Sequence, residues 1–235
     1  DRRLKRYHLF GRFWRPDWHA MGQVFRLGWP IGVTGLAESG LFQASALMMG
    51  WIGTVELAAH GIAMEVAALA FMVHLGLSNA ATVRAGRAEG AGDAQGLRDG
   101  ARVAIALSFG FGVLMVTLFL TAPDQIISLF LDETKDQTAD IIAFGTKLLA
   151  LAALFQLADA MQVMALGLLR GIRDTRVPMI AAAVSYWMIG VPCSYVLAFK
   201  AGLGGVGLWL GLTIGLVAAA SSMMWRFWTR APRVV

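Results

Sequence analysis

The sequence is short of charge and nearly without cysteine. Only 15% of its residues are charged, whereas a soluble domain carries about a quarter, so a surface that faces water on all sides is excluded. The single cysteine, Cys193, excludes an internal disulfide and a zinc cluster. In place of charge the chain has 57% hydrophobic residues, 27 glycines and 12 methionines. This composition is typical of helices that lie in lipid.

Six apolar stretches are long enough to cross a bilayer, whose hydrocarbon core needs about 20 residues of helix. They cover residues 28–52, 58–83, 102–122, 141–168, 177–199 and 206–225. The sequence therefore predicts an all-α integral membrane protein with a six-helix transmembrane bundle at residues 27–226. Residues 1–26 are predicted to be a basic and aromatic cytoplasmic linker, and residues 227–235 a cytoplasmic tail.

Basic residues are unevenly distributed between the two sides that these spans define. One side carries Arg2, Arg3, Lys5, Arg6, Arg12, Arg15, Arg26, Arg84, Arg87, Arg98, Arg102, Arg170, Arg173, Arg176, Arg226, Arg230 and Arg233. The other carries Lys135, Lys147 and Lys200 beside Glu56, Asp124, Asp132, Glu133, Asp136 and Asp140. Because excess arginine and lysine marks the cytoplasmic side, both chain ends are predicted to be cytoplasmic.

The first residues are polar and basic. The chain begins at Asp1 without an early apolar core, so no signal peptide is predicted, and we expect a chain entered partway through. Basic and aromatic residues alternate through Arg6, Tyr7, Phe10, Trp14 and Arg15. We expect this segment to lie on an anionic leaflet. Nucleic-acid binding is the alternative for such a pattern, but beside a membrane helix no nucleic-acid partner is predicted.

Three carboxylates lie inside predicted spans, where an ionisable group costs about 2.5–3.5 kcal/mol on insertion scales. Glu38 is ten residues into the first span, which places it about 15 Å deep, close to the midplane. Asp159 lies in the fourth span nearer its cytoplasmic half, and Glu65 lies in the second span near its external end. Groups this costly either serve a function or form structural hydrogen bonds, and both interpretations stay open here.

Polar neighbours accompany Asp159. Gln156 and Gln162 stand three residues on either side of it and share a broad helix face with it. Two carboxylates on separate helices near mid-depth could share a cation or a proton, which is the chemistry of an ion-coupled carrier. We predict a Na⁺ or H⁺ coupling site at Glu38 and Asp159, with Gln156 and Gln162 as accessory residues. No other metal and no cofactor is predicted.

Further candidates lie on the same spans. Glu65 and His74 are predicted as accessory residues, and His74 would titrate near physiological pH if it were accessible. Phe42, Met72 and Met161 are predicted substrate contacts, since methionine suits surfaces that bind varied ligands. Ordinary helix packing is the alternative for His74 and the methionines, and a structural hydrogen bond near the external interface is the alternative for Glu65.

Enzyme motifs are weak in this sequence. Residues 90–93 spell GxGD, which occurs in intramembrane aspartyl proteases, and Asp159 would be the second acid. However, Asp93 falls in a predicted loop among other charged residues, and Ala158 rather than tyrosine precedes Asp159. The glycines from Gly86 to Gly92 are not followed by the Gly-Lys-Ser/Thr of a phosphate-binding loop. We therefore predict that the protein is not an enzyme.

Several segments resemble one transporter family in its own order. They are residues 28–30 with 38–42, 57–63, 80–86, 159–162, 169–179, 186–187 with 190–192, and 204–209. The chain resembles the C-terminal lobe of a MATE (multidrug and toxic compound extrusion) transporter of the NorM-like bacterial branch. The resemblance implies one lobe of a twelve-helix, two-lobe protein of the bacterial inner membrane, with the N-terminal six-helix lobe missing.

The resemblance also implies a function. The family exports organic cations and drugs in exchange for Na⁺ or H⁺, and in the NorM-like branch the acids matching Glu38 and Asp159 belong to the cation site. Glu65 stands where a neutral polar residue is expected and His74 where many relatives carry proline, which favours H⁺. A lipid-linked saccharide flippase of the same wider superfamily is the alternative, although it would be expected to carry intramembrane cations rather than acids.

Overall fold

The computed structural model describes residues 16–131 and 138–231. These residues form seven helices and no strand, so the predicted all-α class is confirmed. The helices are α1 (Trp18–Ile52), α2 (Thr54–Gly90), α3 (Ala94–Thr121), α4 (Pro123–Ser128), α5 (Thr138–Gly171), α6 (Arg176–Lys200) and α7 (Gly204–Arg230). The following residues of the predicted linker, loops and tail lie outside the described part: Arg2, Arg3, Lys5, Arg6, Tyr7, Phe10, Arg12, Trp14, Arg15, Asp132, Glu133, Lys135, Asp136 and Arg233.

Every helix except the short α4 corresponds to one of the six predicted spans, and only the span 102–122 extends past its helix, by one residue. Within the described residues, the five helices α2, α3, α5, α6 and α7 are long and apolar enough to cross a membrane. Helix α1 has 35 residues, which is ample length, but it is not among those five. Its middle carries Glu38, Ser39 and Gln43 between glycines, so its apolar stretch is diluted where the predicted ion site lies.

The first and last helices are longer than their predicted spans. Helix α1 begins at Trp18, inside the predicted linker, because the Asp17 carboxylate accepts a 3.0 Å hydrogen bond from the backbone N–H of Ala20 and caps the helix. Helix α7 continues to Arg230, inside the predicted tail. Sequence hydropathy marks the part of a helix that lies in lipid, whereas the helix itself extends beyond it.

Helix α5 lies at the centre of the bundle. It packs against α2, α3 and α7, and every residue from Gln162 to Leu169 is buried. A helix that is apolar on all sides is expected in such a position. The central position of α5 brings Asp159 into the interior of the bundle.

Helices α2 and α5 run parallel and make their closest contact near the ends of both helices. The Ser78 hydroxyl donates to the carbonyl of Val163 at 2.7 Å, and the Thr82 hydroxyl donates to the carbonyl of Gly167 at 2.8 Å. One turn later a Cβ at Gly171 would lie 2.7 Å from the carbonyl oxygen of Thr82. Small residues allow this approach, as in other membrane helix pairs.

Helix α6 contains two π-helical stretches, Val184–Gly190 and Val196–Lys200. Pro192 lies between them and has no N–H to donate to a carbonyl one turn earlier. A π turn absorbs this interruption, and the Val191 N–H reaches back five residues to the carbonyl of Tyr186. The helix therefore crosses without breaking, but its side chains are rotated from a regular α-helical register.

Candidate functional site

A cavity of about 310 Å³ lies between α1, α2 and α5. Its wall contains Gly35, Glu38, Ser39, Phe42, Met64, Ala67, Ala68, Phe71, Phe155 and Asp159. Most of these residues are apolar, and the charged groups of the wall are Glu38 and Asp159. A largely apolar cavity with a few convergent polar groups is typical of a small-molecule site.

The structure brings the two predicted coupling residues together. Glu38 comes from the middle of α1 and Asp159 from the central helix α5, and both side chains line the same cavity. Their carboxylates are close enough to act on each other electrostatically. Gly35 lies one turn before Glu38, and a Cβ added there would meet open space, so the cavity is accessible beside Glu38.

Neither carboxylate is neutralised at contact distance within the part of the chain that the structure describes. Asp159 is only 4% exposed, and its Oδ1 atom is buried without a hydrogen-bond partner among these residues. Glu38 is half-buried and forms no hydrogen bond or ion pair with any described residue. A buried carboxylate oxygen without a partner is costly. A bound cation or proton would remove that cost.

Two residues near the carboxylates were not predicted. Tyr186 of α6 is fully buried, and its hydroxyl has no hydrogen-bond partner among the described residues. It lies within electrostatic range of Glu38, Asp159 and Arg170. Arg170 lies beyond the end of the predicted span 141–168, and the structure places it in the last turn of α5. From there its guanidinium acts on Glu38.

An aromatic and hydrogen-bonded cluster stands behind the cavity. Phe42 packs edge-on against Phe155 with ring centroids 6.2 Å apart, and Phe155 packs against Trp209 of α7 at 5.4 Å. The indole N–H of Trp209 donates to Nδ1 of His60 at 3.1 Å. The other ring nitrogen of His60 lies 3.3 Å from the Ser45 hydroxyl, so the cluster connects α1, α2, α5 and α7.

These bonds define the state of His60. An indole N–H can only donate, so Nδ1 of His60 accepts and carries no proton. The Ser45 hydroxyl donates to the carbonyl of Phe42 at 2.7 Å and is therefore free to accept from Nε2–H of His60. The ring is thus held neutral as one tautomer by neighbours from two other helices.

Comparison with known proteins identifies the family. Residues 30–196 match the family model MatE. The chain belongs to the MatE family. A "Probable multidrug resistance protein NorM" of Rhizobium meliloti (strain 1021) is 48% identical over 98% of this chain and 50% of its own length. A protein with the same description from Agrobacterium fabrum (strain C58) is 47% identical over 95% of this chain and 48% of its own length.

Solved structures agree on the fold. A multidrug resistance MATE family transporter of the MOP superfamily, in an outward-facing conformation, aligns with a TM-score of 0.83 at 22% identity. The alignment covers 95% of this chain and 49% of that one. The resemblance drawn from the sequence is confirmed, and the protein is a multi-pass membrane protein of the MatE family. The chain spans about half the length of the curated relatives that it matches.

Among the remaining predicted site residues of this MatE chain, only Phe42 lines the cavity. Met72 is 59% exposed and lies outside the wall. Met161 lines a separate apolar groove between α5 and α7. Glu65 is exposed on α2 and is not part of the wall either. The structure therefore does not bring Met72, Met161 or Glu65 to Glu38 and Asp159.

The predicted accessory residues with polar side chains lie in helix contacts. Gln156 and Gln162 are fully buried beside Asp159 in α5 but do not line the cavity, and their amide atoms have no partner among the described residues. Nδ1 of His74 lies 2.8 Å from the Ser108 hydroxyl, and the ring packs edge-on against Phe111 at 5.2 Å. His74 thus joins α2 to α3, as the packing alternative predicts.

The GxGD segment has a local structural role. The Asp93 carboxylate accepts a 2.7 Å hydrogen bond from the backbone N–H of Gly96 and caps the start of α3. Gly92 takes a φ of 66°, in the left-handed region that favours glycine. The motif is therefore a turn with a helix cap at an exposed position, remote from Asp159 in the sequence and unrelated to a proteolytic site.

Proposed function

We propose that this chain is one lobe of a two-lobe multidrug exporter, in which Glu38 and Asp159 bind the coupling ion. The observation that carries the proposal is their arrangement. They line one cavity in a membrane helix bundle, and no described residue neutralises them at contact distance. A cation or a proton that is bound by two carboxylates on different helices can be exchanged for an organic cation of the same charge.

The ligand set favours a singly charged ion. Divalent Ca²⁺ takes about six to eight oxygen ligands, whereas the wall offers two carboxylates and the hydroxyl of Ser39. Tyr186 could contribute its hydroxyl to an ion near both acids. Between Na⁺ and H⁺ we propose H⁺, because a proton needs only one carboxylate oxygen and the buried Oδ1 of Asp159 is a suitable acceptor.

The mechanism follows from linkage. A proton entering from outside neutralises one of the two acids, Glu38 or Asp159, and thereby removes the repulsion between them, which changes the packing of α1 against α5 and α6. Trp187 of α6 donates its indole N–H to the carbonyl of Ala37 at 3.2 Å, so α6 is linked to α1 next to Glu38. Ion and drug must each bind the outward and inward states unequally for this exchange to work.

The cargo we propose is an organic cation. The cavity wall combines apolar side chains, among them Phe42, Met64 and Phe71, with acidic groups. The relatives described as multidrug resistance proteins support this assignment. A flippase for a lipid-linked saccharide would need basic groups for its phosphates, and the charged residues of this wall are both acidic.

The orientation we propose places the arginine-rich end of the bundle in the cytoplasm of a bacterial inner membrane. The arginine-rich end is the end at which α2, α5 and α7 finish and α3 and α6 begin. It holds Arg84, Arg87, Arg98, Arg102, Arg170, Arg173, Arg176, Arg226 and Arg230. Excess arginine supports a cytoplasmic location for this end.

The test is efflux of a fluorescent organic cation from liposomes that contain the two-lobe protein, under an imposed proton or Na⁺ gradient. We expect Glu38→Gln and Asp159→Asn each to lower gradient-driven efflux by at least about 10- to 100-fold, because that loss already follows when a residue that only supports a metal ligand is replaced. The matched control is Glu65→Gln, which removes a carboxylate from exposed α2 outside the cavity and should transport normally.

Each result has a defined meaning. Efflux that depends on the proton gradient and is lost in both cavity variants supports the proposal and identifies the ion. Efflux that depends on the Na⁺ gradient would keep the antiport and replace H⁺ by Na⁺. Normal efflux by folded Glu38→Gln and Asp159→Asn would show that the acids have structural roles.

A further inference from the structure

A second pocket lies at the arginine-rich end, far along α1 from Glu38. It has a volume of about 240 Å³ and lies between the first part of α1 and the turn that joins α5 to α6. Its wall is formed by Arg26, Leu27, Arg173, Asp174, Thr175 and Arg176. We call it the arginine pocket. None of its residues belongs to the cavity that holds Glu38 and Asp159.

The acid of this pocket is already neutralised. The buried Asp174 carboxylate lies 2.7 Å from Nε of Arg226 and 3.6 Å from Nε of Arg230, both on α7. Nε of Arg173 lies 3.6 Å from a carboxylate oxygen of Glu89 on α2. The ion pairs of the pocket are thus made with residues of α7 and α2.

Two of the three arginines in the wall remain without a carboxylate. Arg26 and Arg176 form no ion pair with any residue that the structure describes. Counting the partners on α7 and α2, five guanidinium groups face two carboxylates around the pocket. Such an excess of positive charge attracts an anion. A single guanidinium group can donate two parallel hydrogen bonds to two oxygens of a phosphate.

The start of α6 adds backbone donors to the same place. Arg176 is its first residue, and the side chain of the N-cap residue Thr175 forms no capping hydrogen bond. The backbone N–H groups of Arg176 and Val177 therefore lack an acceptor within the helix, and the third position, Pro178, has no N–H. A helix N-terminus favours negative charge, and here it coincides with the unpaired Arg26 and Arg176.

The pocket opens beside an apolar surface. Leu27 in its wall is 37% exposed, and Ile180, one turn into α6 from Arg176, is 55% exposed. Trp29 on α1 and Trp225 on α7 are also exposed near this end, as tryptophans at a membrane interface are. A ligand with an anionic head and apolar chains would satisfy both the arginines and this surface.

We propose that the arginine pocket binds the phosphate group of an anionic membrane phospholipid, with its acyl chains along α1 and α6. Basic pockets between membrane helices on the cytoplasmic side bind such head groups. The inference rests on the proposed function in one respect: the proposed orientation determines which leaflet supplies the lipid. It does not depend on which ion is coupled. A lipid in this position connects the start of α1 to the α5–α6 turn, and α1 carries Glu38.

The experiment measures lipid binding rather than transport. The two-lobe protein, delipidated in a neutral detergent, is titrated with phosphatidylglycerol or phosphatidylcholine and examined by native mass spectrometry. We expect selective retention of one phosphatidylglycerol by the wild-type protein. Arg26→Gln combined with Arg176→Gln should weaken that binding about 25-fold, because each arginine near an anionic lipid contributes a factor of about five.

The control removes the same charge from the same end. Arg98→Gln combined with Arg102→Gln lies on α3, outside the arginine pocket, and should bind phosphatidylglycerol as the wild type does. If both double variants bound phosphatidylglycerol equally weakly, the loss would be due to net charge alone, and the proposal would be overturned. Unchanged binding by the Arg26 and Arg176 variant would also overturn it.

Two further arms separate this inference from its alternatives. Inorganic phosphate at millimolar concentration should not displace the bound phosphatidylglycerol; if it does, the site takes a soluble anion and the lipid proposal fails. Glu38→Gln should bind phosphatidylglycerol normally. A loss of efflux with intact lipid binding, or the reverse, therefore assigns success or failure to each proposal separately.

Discussion

At the scale of single residues, the interior contains polar side chains without partners. Polar atoms of Gln156, Asp159, Gln162 and Tyr186 are buried and have no hydrogen-bond partner among the described residues. Each such atom costs about 1–3 kcal/mol, and lipid offers nothing to relieve that cost. Residues maintained at this cost are expected to find partners when an ion binds or when the helices rearrange.

We expect Tyr186→Phe to separate function from stability. The hydroxyl has no partner among the described residues, so its removal should not destabilise the protein and is expected to stabilise it by about 1–3 kcal/mol. It lies within electrostatic range of Glu38 and Asp159, so its removal should raise the ion concentration needed for half-maximal efflux. Thermal unfolding in detergent and efflux at a series of ion concentrations measure the two effects.

Tyr195→Phe is the matched control for that experiment, because Tyr195 lies on the same helix and is 43% exposed. It should leave both stability and ion dependence unchanged. A Tyr186→Phe protein that loses stability but keeps the wild-type ion dependence would show that the hydroxyl has a packing role only.

Sequence reasoning predicted the two acids but not their surroundings. Glu38 and Asp159 stand out because charge within an apolar stretch is rare, and depth follows from counting residues. Met64, Phe71, Phe155 and Tyr186 are ordinary residues of apolar helices, and a helix that is apolar on all sides does not show which face meets a cavity. Met72 and Met161 were predicted from chemistry alone, without knowledge of that face.

At the scale of elements, the α2–α5 contact is the tightest point near Asp159. Gly167 and Gly171 of α5 meet Ser78, Thr82 and Ala85 of α2, and added Cβ atoms at either glycine would collide with them. The cavity opens farther along the same pair of helices, where Phe155 and Asp159 of α5 line its wall together with Met64, Ala67, Ala68 and Phe71 of α2. Helices α2 and α5 are therefore closely packed at one end, and the cavity lies between them farther along.

We expect Gly171→Ala to destabilise the protein by about 1–3 kcal/mol, because the new methyl group would lie 2.6 Å from the Cβ of Ala85 and 2.7 Å from a backbone oxygen. Unfolding of the detergent-solubilised protein measures the change. Gly76→Ala on α2 is the control, since a Cβ there has no neighbour within 4 Å and should be neutral or stabilising. Equal stability of the two variants would contradict the packing described for α2 and α5.

Hydropathy predicted the helices well and their interiors poorly. Each of the six predicted spans lies inside one long helix to within one residue, because twenty apolar residues have few other structures available in lipid. The π-helical stretches on either side of Pro192 were not predicted. Proline marks an interruption in the hydrogen bonds, but whether the chain bends or shifts by one residue depends on its neighbours, here the glycines of α7.

At the scale of the whole molecule, charge divides the bundle into two ends. In intact cells, we expect a cysteine introduced at exposed Leu129, just after α4, to react with a membrane-impermeant maleimide. A cysteine introduced at exposed Ala91, between α2 and α3, should react only after permeabilisation. Both are placed in a cysteine-free background that includes Cys193→Ala, since Cys193 is the only cysteine of this chain.

The reverse labelling pattern would invert the orientation and place the arginine pocket outside. Labelling of both positions in intact cells would contradict the prediction that one membrane span separates them. The orientation is inferred only from the distribution of charged residues in the sequence. The labelling measurement is needed because the fold is compatible with either direction of insertion.

The cluster of His60 and Trp209 has a practical consequence. Trp209 is a natural fluorophore whose indole is fully buried and hydrogen-bonded to a histidine, and it is separated from the cavity by the ring of Phe155. With the other tryptophans replaced, emission from Trp209 would report cavity filling in real time. Intrinsic fluorescence of Trp209 can therefore be used to follow the exchange of ion for cargo without an added dye.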